Sequence, residues 1–220
     1  AQTIYGPVAA ICVWPRFVER ARSRLEGTGI RVATVANFPD GGEDAEALRR
    51  EIEAAVDAGA EEIDVVIPWR AILEDRMETA IAALEAGREA AGATTLKWIL
   101  ETGELKTQDA IALAAAMAIE EGGADFLKTS TGRTPRGATP AAVETMLDVI
   151  SGSGHDCGVK ISGGVAEARE AAEYLAMADE AMADFKDDDE LHWASPERFR
   201  LGASRLIDAL LQQIASEPKA

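Results

Sequence analysis

The chain has 220 residues, of which 47% are hydrophobic and 28% charged, a balance that predicts a globular protein with a core and excludes a disordered chain. Its formal net charge of −17 argues against non-specific nucleic-acid binding and against an anionic membrane surface, so neither partner is expected. Two cysteines and two histidines (Cys12, Cys157, His155, His192) are too few for a disulfide scaffold or a His-rich metal site; a reducing cytoplasm, no metal and no cofactor are the expectation.

In chain order, the first seven residues lack the basic-then-apolar order of a signal peptide. Val8–Val13 reads as a strand, with Cys12 a buried small hydrophobe near its end, and Arg16–Glu26 reads as an amphipathic helix. The alternation continues with a strand at Arg31–Asn37, a helix at Gly42–Ala58, a strand at Glu62–Ile67 and a helix at Ala71–Ala91. Next come a strand at Thr95–Glu101 and a helix at Thr107–Gly122. The Ala-rich stretch Ala110–Ile119 inside that helix is too short to span a bilayer and suits tight packing. Ala124–Thr129 and Gly158–Ser162 read as strands, with helices at Thr139–Ser151 and Glu167–Ala178. Thr139-Pro140 is a clean helix start, a capping side chain followed by proline in the first turn. Asp184–Glu190 reads as a solvated acidic loop, Arg198–Ala203 as a weaker strand and Ser204–Ala215 as a last helix. No linker divides the chain, so one domain over residues 1–220 is expected.

The strands are rich in Val, Ile and Leu, as in a buried parallel sheet, and strict β/α alternation predicts an α/β fold. An open doubly wound sheet and a closed (β/α)8 barrel both satisfy that alternation. Asp64, Lys97, Lys128 and Lys160 fall on successive strands at spacings of 33, 31 and 32 residues. Side chains from consecutive strands that converge on one point suit a barrel interior. Seven strands then leave the barrel without its first strand.

Lys128 and Lys160 interrupt apolar strands that end in glycine-rich turns, where lysine is seldom buried. Desolvation and a second cation both disfavour an ammonium, and a neutral amine can form a Schiff base with a carbonyl. Three glycine turns, at Gly132, at Gly163-Gly164 and at Gly202, follow strands and precede helices, so their N–H groups can form an anion site with Arg133.

Several segments resemble deoxyribose-phosphate aldolase. They are Ala-Ala-Ile-Cys-Val-Trp-Pro-Arg-Phe (9–17), Asp-Val-Val-Ile-Pro (64–68), Lys-Trp-Ile-Leu-Glu-Thr-Gly-Glu-Leu-Lys (97–106) and Gly-Ala-Asp-Phe-Leu-Lys-Thr-Ser-Thr-Gly-Arg (123–133). Gly-Val-Lys-Ile-Ser-Gly-Gly-Val (158–165) and Arg-Leu-Gly-Ala-Ser (200–204) continue the resemblance in order. It implies a class I, metal-independent aldolase on a (β/α)8 barrel. Its substrates would be a small-molecule sugar phosphate, 2-deoxy-D-ribose 5-phosphate, and an aldehyde, and a homo-oligomer is possible. Lys128 matches the Schiff-base lysine, Lys160 the lysine that lowers its pKa, and Asp64 the carboxylate of the proton relay; Lys97 would support Asp64. Thr131 matches a contact to the sugar hydroxyls, and Gly132, Arg133, Gly163, Gly164, Gly202 and Ser204 match the phosphate side. The chain departs from the family at Arg133, usually lysine, at Ile161-Ser162, often Pro-Ala, and at Ala166, often arginine.

Overall fold

The structure is a computed structural model and describes residues 2–3, 6–185, 192–202 and 204–216. Two short strands, β1 (Gln2–Thr3) and β2 (Gly6–Pro7), pair antiparallel with each other. The main sheet follows with β3 (Ala10–Cys12), β4 (Arg31–Ala36), β5 (Glu62–Val66), β6 (Thr95–Ile99), β7 (Phe126–Lys128), β8 (Gly158–Ser162) and β9 (Phe199–Gly202). All seven expected strands are present; β8 keeps its expected bounds and the other six are shorter.

Strand order in space equals strand order in sequence, and every pairing is parallel. A doubly wound sheet reverses direction at a switch point; this one winds one way, as a barrel does. The sheet is strongly curled. Lys160 on β8 reaches Asp64 on β5 at 2.5 Å, and Arg200 on β9 reaches Glu62 on β5 at 3.4 Å. In a flat sheet those strands would lie about 14 and 19 Å apart, beyond the reach of side chains standing parallel to one another. The fold is a (β/α)8 barrel without its first strand, and β3 and β9 are the outer strands of the described sheet.

The period of two sorts each strand into two faces. Ile63, Val65, Leu96, Trp98, Leu127, Val159 and Ile161 point outward into one apolar core with Leu48, Ile52, Leu84, Ile111, Val143 and Met146 of the helices. Those helices are α1 (Val18–Leu25), α2 (Ala45–Asp57), α3 (Trp69–Leu73), α4 (Met77–Ala91), α5 (Thr102–Leu105), α6 (Gln108–Glu120), α7 (Pro140–Ser153), α8 (Ala168–Ala181) and α9 (Ser204–Ser216). Trp98 packs against Gly87 of α4 and donates its indole N–H to Gly122 O at 2.9 Å. The intervening positions, Glu62, Asp64, Lys97, Lys128 and Lys160, face the interior, so the charged residues share one face of the sheet.

Two expectations are corrected, and a third lies mostly outside the described residues. The helix expected at Ala71–Ala91 is two, because Asp75 adopts φ 58 and the chain restarts at Met77. Cys12, expected to be a buried small hydrophobe, is exposed. The acidic loop is described only at Asp184 and Phe185, in a short 3-10 helix Ala183–Phe185; residues 186–190 lie outside the described residues. The Thr139 cap forms as expected, its hydroxyl accepting the Ala142 N–H at 3.3 Å. No helix among the described residues is long and apolar enough to cross a membrane.

Candidate active site

Register brings the two strand lysines side by side: Lys128 on β7 pairs directly with Lys160 on β8. Both ammonium groups contact the same oxygen, Asp64 Oδ2, at 2.7 Å from Lys128 and 2.5 Å from Lys160. Lys97, paired with Asp64 in register, lies 3.3 Å from Oδ1. That oxygen is buried and accepts no hydrogen bond, so the Lys97 contact is an ion pair with poor directionality. Asp64 and Lys97 are fully buried, and Lys128 and Lys160 are nearly so.

The electrostatics separate the two lysines. Burial pulls Lys128 down; Asp64 opposes it and Lys160 adds to it, and the net shift is below the ordinary lysine value. Burial also acts against Lys160, but Asp64, helped by Cys12 and Glu62, outweighs it and holds Lys160 above that value. Burial alone would raise Asp64, yet Lys128, Lys160 and Lys97 together hold it well below the carboxylate range. The arrangement therefore contains one amine that is easier to deprotonate, one that stays cationic and a carboxylate that stays ionised.

The loop after β7 is held by a residue the sequence reading did not single out. Glu101 has φ 55 and φ-strained backbone, is buried, and accepts the Thr131 hydroxyl at 2.5 Å and the Thr134 hydroxyl at 3.1 Å. It also takes the Thr131 N–H at 3.3 Å. Thr131 in turn accepts the Arg133 N–H at 3.0 Å. Its cues were a glutamate ending an apolar strand and its place in the 97–106 segment. Glu62, another residue passed over, sits two positions before Asp64 and takes Lys97 at 2.5 Å.

The remaining expected residues surround the ends of β7, β8 and β9. Gly132, Gly163 and Gly164 adopt φ 74, 89 and 102, a region that favours glycine. Gly163 O accepts the Ala138 N–H at 2.9 Å, which ties the β8 turn to the β7 loop. A Cβ on Gly202 would lie 3.3 Å from Lys160 Cε, so Gly202 borders the lysine itself. Arg133 is apart from these glycines in its contacts: its guanidinium lies over the Trp14 ring at 5.7 Å. Ser204 opens α9, and its side chain lies outside the described residues. Among the described residues no group of three or more His, Cys, Asp or Glu is placed to hold a metal ion. A cleft of about 430 Å³ lined by Arg22, Arg31 and Glu61 contains none of the expected site residues.

A family model described as DeoC/LacD family aldolase matches residues 1–204. Among solved structures, a candidate deoxyribose-phosphate aldolase from Toxoplasma gondii ME49 is 30% identical with a TM-score of 0.83, covering 100% of this chain and 86% of that one. A second candidate deoxyribose-phosphate aldolase, from Coccidioides immitis, is 29% identical with a TM-score of 0.78, covering 94% and 73%. The deoxyribose phosphate aldolase from Aeropyrum pernix, described as tetrameric, is 22% identical with a TM-score of 0.67, covering 93% and 76%, a likeness of fold.

Proposed function

Because the chain belongs to the DeoC/LacD family of aldolases, we propose that it cleaves 2-deoxy-D-ribose 5-phosphate reversibly to D-glyceraldehyde 3-phosphate and acetaldehyde through a Schiff base on Lys128. The observation that carries this reading is the shared Asp64 oxygen, with Lys128 shifted toward its neutral form and Lys160 toward its charged one.

In this reading neutral Lys128 attacks the C1 aldehyde of the open-chain sugar, and loss of water gives a protonated imine. A base removes the C3 hydroxyl proton, the C2–C3 bond breaks, and its electron pair moves into the imine to give an enamine. Glyceraldehyde 3-phosphate leaves with the new C3 carbonyl. Protonation at C2 and hydrolysis then release acetaldehyde and restore the amine. Asp64 and Lys160, working through water, carry the protons. Lys97 steadies Asp64. Thr131, held by Glu101, meets a sugar hydroxyl. The N–H groups at Gly132, Gly163, Gly164 and Gly202, with Arg133 and Ser204, take the phosphate. Arg133 leaves the Trp14 face to do so, a contact worth only about 1 kcal/mol when exposed.

Borohydride trapping with acetaldehyde, followed by mass mapping, tests the reading. Label on Lys128 supports it, label on Lys160 reverses the two roles, and no label removes the Schiff base. Lys128→Met should abolish trapping and lower kcat by roughly three orders of magnitude or more. Acetaldehyde should serve as donor in the synthetic direction; preference for dihydroxyacetone phosphate would indicate a different sugar-phosphate aldolase.

A further inference from the structure

One buried carboxylate takes no part in the chemistry above. Glu62 is 1% exposed, and three cations from three other strands meet it. Lys97 Nζ of β6 is 2.5 Å away, Arg200 of β9 3.4 Å and Arg31 of β4 3.6 Å. Lys97 is shared: Glu62 holds it on one side, Asp64 Oδ1 on the other at 3.3 Å, and the Phe126 ring of β7 lies 5.7 Å from its Nζ. The second Asp64 oxygen carries Lys128 and Lys160. Cys12 of β3 is the further titratable group that Asp64, Lys128 and Lys160 sense. The charges thus alternate in sign along the inner face: half-exposed Arg31 and mostly buried Arg200, then Glu62, then Lys97, then Asp64, then Lys128 and Lys160.

We propose that Glu62 is a positioning residue for this reaction: it draws Lys97 away from Asp64 and so leaves Asp64 to hold Lys128 and Lys160. The proposal rests on the reading of Lys128 as the imine-forming residue. With the Glu62 charge removed, Asp64 is the one carboxylate that Lys97 contacts among the described residues. Asp64 then attracts the Lys128 ammonium less, and the interior has also lost a negative charge. Both changes act in the same direction, and Lys128 gives up its proton more readily.

The test is the pH dependence of kcat/KM in the full chain, which reports the free enzyme's ionisations. Glu62→Gln should move the limb that rises with pH downward by about half a unit or more, roughly a threefold gain in neutral amine at a fixed pH on that limb. Glu62→Asp keeps the charge and should move it less than half as far. Arg200→Met removes a cation that competes for Glu62, and the limb should move upward. A limb that stays in place in Glu62→Gln and Arg200→Met while the rate falls at every pH would mean a structural brace only and overturns the proposal. If Glu62→Gln does not fold, Arg200→Met decides alone, and an unmoved or lowered limb overturns it. Borohydride labelling of the wild-type chain separates the two levels. Label at Lys128 with coincident profiles sinks the Glu62 proposal alone; absence of label at Lys128 sinks the underlying reading and the proposal with it.

Discussion

Asp64 faces three ammonium groups within 3.3 Å and is fully buried, so its replacement should be felt in stability as well as in rate. Its folded-state pKa lies well below the ordinary 3.8, so its contribution is present above that value and is lost as pH falls through the folded pKa. Asp64→Asn leaves the lysines without their carboxylate and should cost about 3 kcal/mol or more near neutral pH. The Tm difference from wild type should shrink below about pH 4, which thermal melts over a pH series would register. Lys160→Leu acts the other way on chemistry. Removing that cation should raise the Lys128 pKa, move the rising limb of the pH–rate profile upward, and restore part of the lost activity at higher pH. A loss of equal size at every pH would point to proton transfer by Lys160 itself. The four interior residues Asp64, Lys97, Lys128 and Lys160 were legible in the sequence because a charge inside an apolar strand has few physical explanations. Glu62 and Arg200 carried the same cue, but their meaning depends on curvature that brings β5 against β9, which no local pattern encodes. Glu101 was hidden for another reason: the partners of its carboxylate are all about 30 residues away in sequence.

At the scale of elements, strands and most helices followed from hydrophobic period and caps, while the joins did not. The restart at Met77 and the short helix α5 depend on the positive φ of Asp75 and Glu101, which a hydrophobic period does not register. One join matters to the site. A Cβ on Gly137 would lie 1.9 Å from Gly163 O, so the β7 loop and the β8 turn approach closely only because that position has no side chain. Gly137→Ala should separate them, with a cost of about 1–3 kcal/mol and a rise in KM for the phosphorylated sugar. Kinetics with unphosphorylated deoxyribose are the control; an equal rise for both would argue against a phosphate site at the β8 turn. Arg133→Ala, on the same loop, should likewise raise KM for the phosphorylated substrate more than for deoxyribose, and equal effects would refute a phosphate role.

Across the whole molecule, a chain of net charge −17 holds four cations, Lys97, Lys128, Lys160 and Arg200, inside the curl of its sheet against two carboxylates, Glu62 and Asp64. An anionic substrate is repelled at long range and attracted at short range, within about a Debye length of 8–10 Å. Ladder pairing is also uneven. Each strand from β4 to β8 has two neighbours, whereas β3 and β9 have one each among the described residues. Hydrogen exchange should accordingly be slowest in β5 to β7 and fastest in β3 and β9, and uniform protection would mean that the curl is closed by further contacts. The direct pairing of Lys128 with Lys160 has a consequence for folding itself. A slip of β7 by one residue would turn Leu127 inward and drive the Lys128 ammonium into the apolar layer beneath the helices, far from Asp64. Such a misthreaded sheet would carry an uncompensated cation in its core, and Asp64 would lose one of its three ammonium partners. The interior charges therefore also proofread the assembly of the barrel, rejecting wrong alignments before any substrate arrives.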